Sequence, residues 1–152
     1  MGIEIERKFR VLGDAWRQPA PQRLTQGYLN RDPARTVRVR VAGDQGFLTI
    51  KGRNSGATRA EFEYPVPLAD AQALLALCEA PLIDKWRHRV PLGGLVWEVD
   101  EFLGDNAGLV VAEVELQHED QPIERPAWLG EEVTHDPRYF NSALSKLPFS
   151  RW

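Results

Sequence analysis

Charged side chains recur at every second position along several short stretches of the sequence. Glu4, Glu6 and Lys8 stand two residues apart near the N-terminus, and Arg38 and Arg40 alternate with valines further along the chain. Because successive side chains of a β-strand point to opposite faces, such a stretch carries its charges on one face and most of its apolar residues on the other. The pattern therefore predicts a chain built mainly of two-faced strands.

Eight stretches show this period of two and are predicted to be strands. They are Gly2–Val11, Arg23–Asn30, Thr36–Ala42, Phe47–Lys51, Arg59–Val66, Ile83–Pro91, Val96–Phe102 and Val110–His118. Short turns join several of them, which favours antiparallel pairing. Three helical segments are also predicted: an amphipathic helix over Leu68–Glu79, a weaker turn over Pro126–Glu132 and a short C-terminal helix over residues 138–144.

Length and composition place the chain among ordinary globular proteins. Its 152 residues, 43% hydrophobic and 27% charged, predict a single domain over residues 1–152 and exclude a disordered chain. The net charge of -3 makes nucleic acid an unlikely partner. The single cysteine, Cys78, excludes an internal disulfide and a cysteine zinc site. With neither a signal-peptide pattern nor a long apolar run, we expect a cytoplasmic protein without a membrane partner.

Two interpretations fit the charged strand faces. For any one strand, the ordinary interpretation is a sheet whose charges face water. Across seven strands, however, acids and bases segregate by strand, and like charges two residues apart repel each other unless an opposite charge lies between them. The alternative is a sheet that curls until its charged face lines an interior, an arrangement that costs several kcal/mol for each unpaired ion and therefore implies a function.

A chain of phosphates with a divalent metal would use both kinds of charge. Arginine and lysine bind phosphate oxygens, and Mg²⁺ or Mn²⁺ takes carboxylate and phosphate oxygens as ligands. A divalent metal also lowers the pKa of water and neutralises charge on a transferred phosphoryl group. The pattern therefore predicts a metal-dependent phosphoryl-transfer site.

The N-terminal run Glu4-Ile5-Glu6-Arg7-Lys8 resembles the ExExK signature of the CYTH superfamily, the triphosphate tunnel metalloenzymes. Further stretches follow in the family's order and extend the resemblance over nearly the whole chain: Gln26–Tyr28, Val37–Arg40, Thr49–Lys51, Glu61–Glu63, Lys85–Arg89, Trp97–Asp100, Ala112–Glu115, and Arg138, Tyr139 and Asn141. The resemblance implies a mainly β fold: an eight-stranded antiparallel β-barrel that forms a tunnel with a charged interior and is covered by a few helices.

The resemblance to short bacterial members of this family also implies an activity. We expect hydrolysis of inorganic tripolyphosphate to pyrophosphate and phosphate, with Mg²⁺ or Mn²⁺ as the cofactor. Other activities of the family stay open as alternatives: nucleoside, RNA or thiamine triphosphatase, and class IV adenylate cyclase. A non-catalytic polyphosphate-binding module is a further alternative, and a homodimer is left open by the aromatic residues.

Within this interpretation the charged residues divide into three groups. The predicted metal ligands are Glu4, Glu6, Glu61, Glu63, Glu98, Asp100, Glu113 and Glu115. The predicted phosphate-binding residues are Lys8, Arg38, Arg40, Lys51, Arg59, Arg87 and Arg89. Lys85 is predicted to stabilise the leaving or transferred phosphoryl group, and Tyr28 to orient water or move a proton, with a packed aromatic as its alternative. We expect the C-terminal helix to lie over one tunnel mouth, with Lys146 reaching toward the substrate.

Overall fold

The computed structural model describes residues 2–152, and eight of its strands form a closed antiparallel barrel. The strands are β1 (Ile3–Val11), β2 (Gln22–Asn30), β3 (Arg35–Ala42), β4 (Gln45–Gly52), β5 (Thr58–Val66), β6 (Glu79–Leu92), β7 (Leu95–Phe102) and β8 (Val110–Glu115). Their order is β5-β4-β3-β2-β6-β7-β8-β1, and pairing of β1 with β5 closes the ring. The predicted eight-stranded antiparallel barrel is thus confirmed.

The charged faces of the strands point into the barrel. Register places Lys8 of β1 opposite Glu113 of β8, and Lys51 of β4 opposite Glu61 of β5. Bases and acids from neighbouring strands therefore meet across the inner surface, which reduces the cost of burying them. The sheet therefore closes with its charged face inside, as the second interpretation of the sequence predicted.

Apolar side chains on the outside of β1, β7 and β8 form the larger of two hydrophobic clusters. Phe9, Trp97 and Val114 are buried there, with the Phe9 and Trp97 rings 5.6 Å apart in an edge-on arrangement. Trp16 and Trp128 cover them from the connecting segments. Because each large buried side chain contributes about 1.5–3 kcal/mol, this cluster is a major source of barrel stability.

Helix α1 (Leu68–Leu75) packs on the outside of β3 and β4. Its one buried residue, Ala71, sits against Gly46 of β4. The predicted helix over Leu68–Glu79 is too long, because Glu79 pairs with Tyr28 and already belongs to β6. Leu77, within the predicted helical segment, lies beyond the end of α1 and is 72% exposed.

The predicted helical turn over Pro126–Glu132 is wrong, since this segment contains a ninth strand, β9 (Leu129–Glu132). It extends the sheet beside β1, with Leu129 opposite Val11 and Glu132 opposite Phe9. A bidentate pair of hydrogen bonds from Arg7 to Glu132, at 2.9 and 2.7 Å, joins the two strands. Contacts with a strand more than a hundred residues away thus outweigh the local pattern.

The C-terminal segment fills one end of the barrel. It contains short 3-10 turns and helix α2 (Asn141–Leu144). Tyr139 and Leu144 pack against Tyr28, Ile83 and Phe102, which lie in the inward phase of β2, β6 and β7. The barrel is therefore apolar at this end and charged along the remainder of its interior. None of the helices in residues 2–152 has the length and hydropathy of a transmembrane helix.

Candidate active site

The barrel encloses a cavity of about 320 Å³. Fifteen of the sixteen charged residues singled out from the sequence line it, together with Tyr28. The acids are Glu4, Glu6, Glu61, Glu63, Glu98, Glu113 and Glu115, and the bases are Lys8, Arg38, Arg40, Lys51, Arg59, Lys85, Arg87 and Arg89. Their placement on seven strands explains how residues scattered along the whole sequence reach one volume.

Asp100 is the exception, because it lies behind the cavity lining and is completely buried. Its Oδ1 accepts a hydrogen bond from Arg87 Nε at 2.8 Å, and its Oδ2 lies 2.8 Å from Arg87 Nη2 and 2.7 Å from Lys85 Nζ. Burial raises the pKa of Asp100, but Arg87 and Lys85 outweigh burial and lower it. Both carboxylate oxygens thus accept from cations, so Asp100 anchors Arg87 and Lys85 in this structure, and its role as a metal ligand stays a prediction.

The carboxylates of Glu6 and Glu113 share one ammonium group beside β1. Lys8 Nζ lies 2.9 Å from Glu6 and 2.7 Å from Glu113. Burial and the neighbouring Glu113 raise the pKa of Glu6 to about 8, although Lys8 opposes the shift. Two carboxylates therefore meet one ammonium group in this part of the cavity, and the lysine alone does not neutralise both of them.

A second group of acids lies around Glu4. Glu4 pairs with Lys51 at 3.1 Å and with Arg59 at 3.2 Å. Burial raises the pKa of Glu4, but these cations outweigh it and lower the pKa to about 2. Burial, and after it Glu4, raises the pKa of both Glu61 and Glu115. Their carboxylates would accordingly be stabilised by an additional cation.

The opposite wall of the cavity has a surplus of positive charge. Among residues 2–152, Arg38 Nε is buried without a hydrogen-bond partner, and the nearest carboxylate oxygen, on Glu63, is 3.5 Å from Nη2. Arg40 donates from Nε to Gln26 Oε1 at 2.8 Å, and within residues 2–152 it forms no ion pair. Burial, Arg38 and Arg87 lower the pKa of Arg40 to about 9. An anion entering the cavity would supply the missing acceptors.

Several predicted residues lie toward the more open part of the cavity. The side chains of Arg89 and Glu63 are 51% and 44% exposed, and Arg89 lies 3.6 Å from Glu98. At the end beside the C-terminal segment, Lys146 lines an adjoining groove and not the cavity itself. Tyr28 touches both the cavity and the apolar cluster, so its two predicted roles are not mutually exclusive.

Three neutral side chains complete the site, and none of them was predicted from the sequence to bind substrate or metal. Gln26 and Asn141 are joined by a hydrogen bond of 3.1 Å, and Thr49 accepts from Arg38 and donates to Glu63. The inward strand phase of Gln26 and Thr49 was a usable signal. The contact made by Asn141 had no local signal, because it depends on where the C-terminal segment docks.

A family profile for the CYTH domain matches residues 2–148. The chain belongs to the CYTH family. It is 49% identical over 154 residues to an inorganic triphosphatase of Acetivibrio thermocellus, a match covering 100% of this chain and 99% of that protein. It is also 37% identical over 149 residues to an inorganic triphosphatase of Nitrosomonas europaea, covering 93% and 96%. A solved structure of an inorganic triphosphatase superimposes on this CYTH chain with a TM-score of 0.67 and 35% identity, covering 93% of each chain.

The donor set of this CYTH cavity fits a hard divalent cation. Among residues 2–152, no three acidic, histidine or cysteine side chains are already gathered as a metal site. Mg²⁺ does not require such a cage, because it is commonly held by one or two carboxylates together with substrate phosphates and water. The crowded carboxylates of Glu6, Glu61 and Glu115 supply suitable oxygen atoms.

Proposed function

We propose that this CYTH protein is a divalent-metal-dependent hydrolase that converts inorganic tripolyphosphate to pyrophosphate and phosphate. The observation that carries the proposal is the division of charge within one cavity. Among residues 2–152, Arg40 has no ion-pair partner and Arg38 keeps a buried Nε without an acceptor, whereas Glu6 and Glu113 share a single lysine. An anionic chain and a cation bound together would complete both sides, and the two relatives named inorganic triphosphatases support this choice of anion.

The basic residues would bind the phosphate chain along the cavity. Arg38 offers its unpaired Nε, and Arg87 is held in a fixed orientation by its bidentate contact with Asp100. A guanidinium group fixed in this way suits phosphate oxygens, because its planar donors are already oriented. Lys8, Arg40, Lys51, Arg59 and Arg89 are proposed to provide the remaining contacts.

The carboxylates of Glu4, Glu6, Glu61, Glu63, Glu98, Glu113 and Glu115 are proposed to hold Mg²⁺ or Mn²⁺. When bound, such an ion neutralises developing charge and favours formation of a hydroxide nucleophile. The lysines now paired with Glu4, Glu6 and Glu113 would then be released toward phosphate oxygens. The glutamates would thus pair with lysines before binding and act as metal ligands afterwards.

Lys85 is proposed to stabilise the phosphoryl group during transfer. Its ammonium group is anchored by Asp100 at 2.7 Å and by Asn141 at 2.9 Å. Water would attack the terminal phosphorus, the bond to the bridging oxygen would break and pyrophosphate would leave with that oxygen. Tyr28 borders the same cavity, and its hydroxyl is proposed to orient the attacking water.

Phosphate release by the purified protein tests this proposal. Tripolyphosphate, ATP, GTP, thiamine triphosphate and pyrophosphate would be compared with Mg²⁺, with Mn²⁺ and with a chelator. We expect metal-dependent release that is fastest from tripolyphosphate and absent with the chelator. Faster release from an organic triphosphate, formation of cyclic AMP from ATP, or binding without turnover would each contradict the proposed activity.

A further inference from the structure

Asn141, the first residue of α2, connects the C-terminal segment to the charged interior. Its Oδ1 accepts a hydrogen bond from Lys85 Nζ at 2.9 Å and another from Gln26 Nε2 at 3.1 Å. An ammonium group can only donate hydrogen bonds, so the amide atom facing Lys85 must be the oxygen. The orientation of the Asn141 amide is consequently fixed by chemistry.

The Nδ2 donor of this amide has no hydrogen-bond acceptor among the described residues. Asn141 lines the cavity, and within residues 2–152 its Nδ2 donates to no protein acceptor. Gln26, which donates to Asn141, also accepts from Arg40 Nε at 2.8 Å. One asparagine thus holds Lys85 directly and Arg40 through Gln26, while presenting an unused donor to the volume that these cations surround.

We propose that Asn141 is a substrate-binding residue whose Nδ2 donates a hydrogen bond to a phosphate oxygen, while its Oδ1 keeps Lys85 and Gln26 in place. The identity of the anion as tripolyphosphate rests on the function proposed above. The C-terminal segment then contributes to the active site itself, in addition to filling the end of the barrel. When that segment docks, Asn141 holds Lys85 and Arg40 in place and also adds its own donor to the phosphate site.

Two substitutions separate the donor from the acceptor of this amide. Asn141→Asp retains an oxygen acceptor for Lys85 and Gln26 but replaces the donor with a negative oxygen. We expect it to raise the Kd for tripolyphosphate and the KM by about tenfold or more, with kcat reduced far less. Asn141→Ala removes both functions, so KM should rise and kcat should fall as Lys85 loses an anchor.

Asn106→Ala is the matched control, because Asn106 also ties down the C-terminal segment. Its Oδ1 accepts from the backbone N–H of Phe149 at 2.8 Å, and Asn106 does not line the cavity. This variant should lower Tm and leave the Kd for tripolyphosphate within about twofold of the parent value. An equal rise in Kd for Asn106→Ala and Asn141→Ala, or parental binding by Asn141→Asp, would overturn the proposal.

Two measurements distinguish the Asn141 proposal from the proposed hydrolase activity. Calorimetry measures binding of tripolyphosphate in the presence of a chelator, and a separate assay measures phosphate release with Mg²⁺. A parent protein that binds tripolyphosphate but does not hydrolyse it would contradict the proposed hydrolase, and the Kd values would still decide the role of Asn141. A parent protein that does not bind tripolyphosphate at all would contradict both. Turnover by the parent with unchanged KM in Asn141→Asp would refute the Asn141 proposal alone.

Discussion

Arg38 keeps a buried Nε–H group that finds no acceptor in the part of the chain that the structure describes, and such groups are rare in folded proteins. A buried donor left unpaired costs about 1–3 kcal/mol, and a phosphate oxygen at this position would recover that energy on binding. Arg38→Ala should therefore raise the KM for tripolyphosphate by about tenfold to a hundredfold, because a charged hydrogen bond contributes about 1.5–3 kcal/mol. Steady-state kinetics with saturating Mg²⁺ would measure the change.

Arg35→Ala is the appropriate comparison for Arg38→Ala. Arg35 lies on the same strand with its side chain in the outward phase and 71% exposed. Removing it deletes the same charge without touching the cavity, so KM should stay at the parent value. Similar increases in both variants would mean that Arg38 acts only through the net charge of the protein.

Strand phase predicted which charged residues face the interior but not how deep each one lies. Asp100 has the same phase as Glu98, yet Arg87 and Lys85 cover its carboxylate and remove it from the cavity surface. Depth depends on which side chains of neighbouring strands converge, and this information is not local. The neutral partners were missed for a related reason: hydrogen bonds such as that from Gln26 to Asn141 join residues that are distant in sequence.

Close packing of α1 on the barrel depends on the absence of a side chain at Gly46. A Cβ atom built there would lie 2.5 Å from the Cβ of Ala71 and 3.1 Å from the carbonyl oxygen of Val66. Gly46→Ala should thus displace the helix and lower the free energy of unfolding by about 1–3 kcal/mol, as overpacking usually does. Urea denaturation followed by tryptophan fluorescence would measure this loss.

Gly52→Ala serves as its control on the same strand. A Cβ atom there would meet the Cβ of Ala60 at 3.4 Å, an ordinary contact, and neither glycine has a positive φ. Alanine at this position should leave the unfolding free energy unchanged or raise it by about 0.4–1 kcal/mol, because the unfolded chain loses freedom. Equal destabilisation of both variants would argue against tight helix packing at Gly46.

Attachment of β9 to β1 should depend on pH through Glu132. Its hydrogen bonds with Arg7 lower the pKa of this carboxyl below its ordinary value of 4.5. A lowered pKa in the folded state contributes stability above about pH 4.5 that is lost as the pH falls through the lowered pKa. Because the pair is partly exposed, Glu132→Gln should cost only about 0.5–1 kcal/mol near neutral pH, and the cost should shrink below about pH 4.5.

Urea titrations between about pH 7 and pH 3 would test this dependence, with Glu131→Gln as the neighbouring control. Glu131 is exposed and forms no ion pair within the described residues 2–152. Its variant should follow the parent protein at every pH. A pH-independent cost for Glu132→Gln would show that geometry, and not the charge on the carboxylate, secures β9.

The elements that sequence predicted well are those with their own internal periodicity. All eight barrel strands follow alternation along the chain, and five of their pairings join strands that follow one another in sequence; the pairings β2–β6, β1–β8 and β1–β5 join strands that are distant in sequence. The errors arose where a distant strand decides the conformation. Glu79, at the end of one predicted helical segment, pairs with Tyr28 in the sheet. Leu129, within another such segment, pairs with Val11.

Across the whole barrel, the charged interior consists largely of ion pairs that ligand binding would have to exchange. Lys8 is held by Glu6 and Glu113, and Lys51 by Glu4. A phosphate chain that binds these lysines leaves the carboxylates uncompensated, and a metal that binds the carboxylates frees the lysines. Each ligand thereby removes part of the cost of binding the other, and such coupling is reciprocal by thermodynamic necessity.

We therefore predict that Mg²⁺ and a non-hydrolysable imido analogue of tripolyphosphate each tighten binding of the other by about fivefold to a hundredfold. Calorimetry of the analogue with and without Mg²⁺ would measure this factor in the parent protein and in two variants. Glu6→Gln removes a surplus carboxylate from the cavity and should reduce the factor. Glu101→Gln removes an acid in the outward phase of β7 that pairs with Arg17, and this variant should leave the factor unchanged.

Because Mg²⁺ also binds the analogue free in solution, the difference between variants isolates the contribution of the cavity. An identical factor in all three proteins would mean that Mg²⁺ enters the cavity only as a complex with the analogue. The lysines would then not be released from their carboxylate partners.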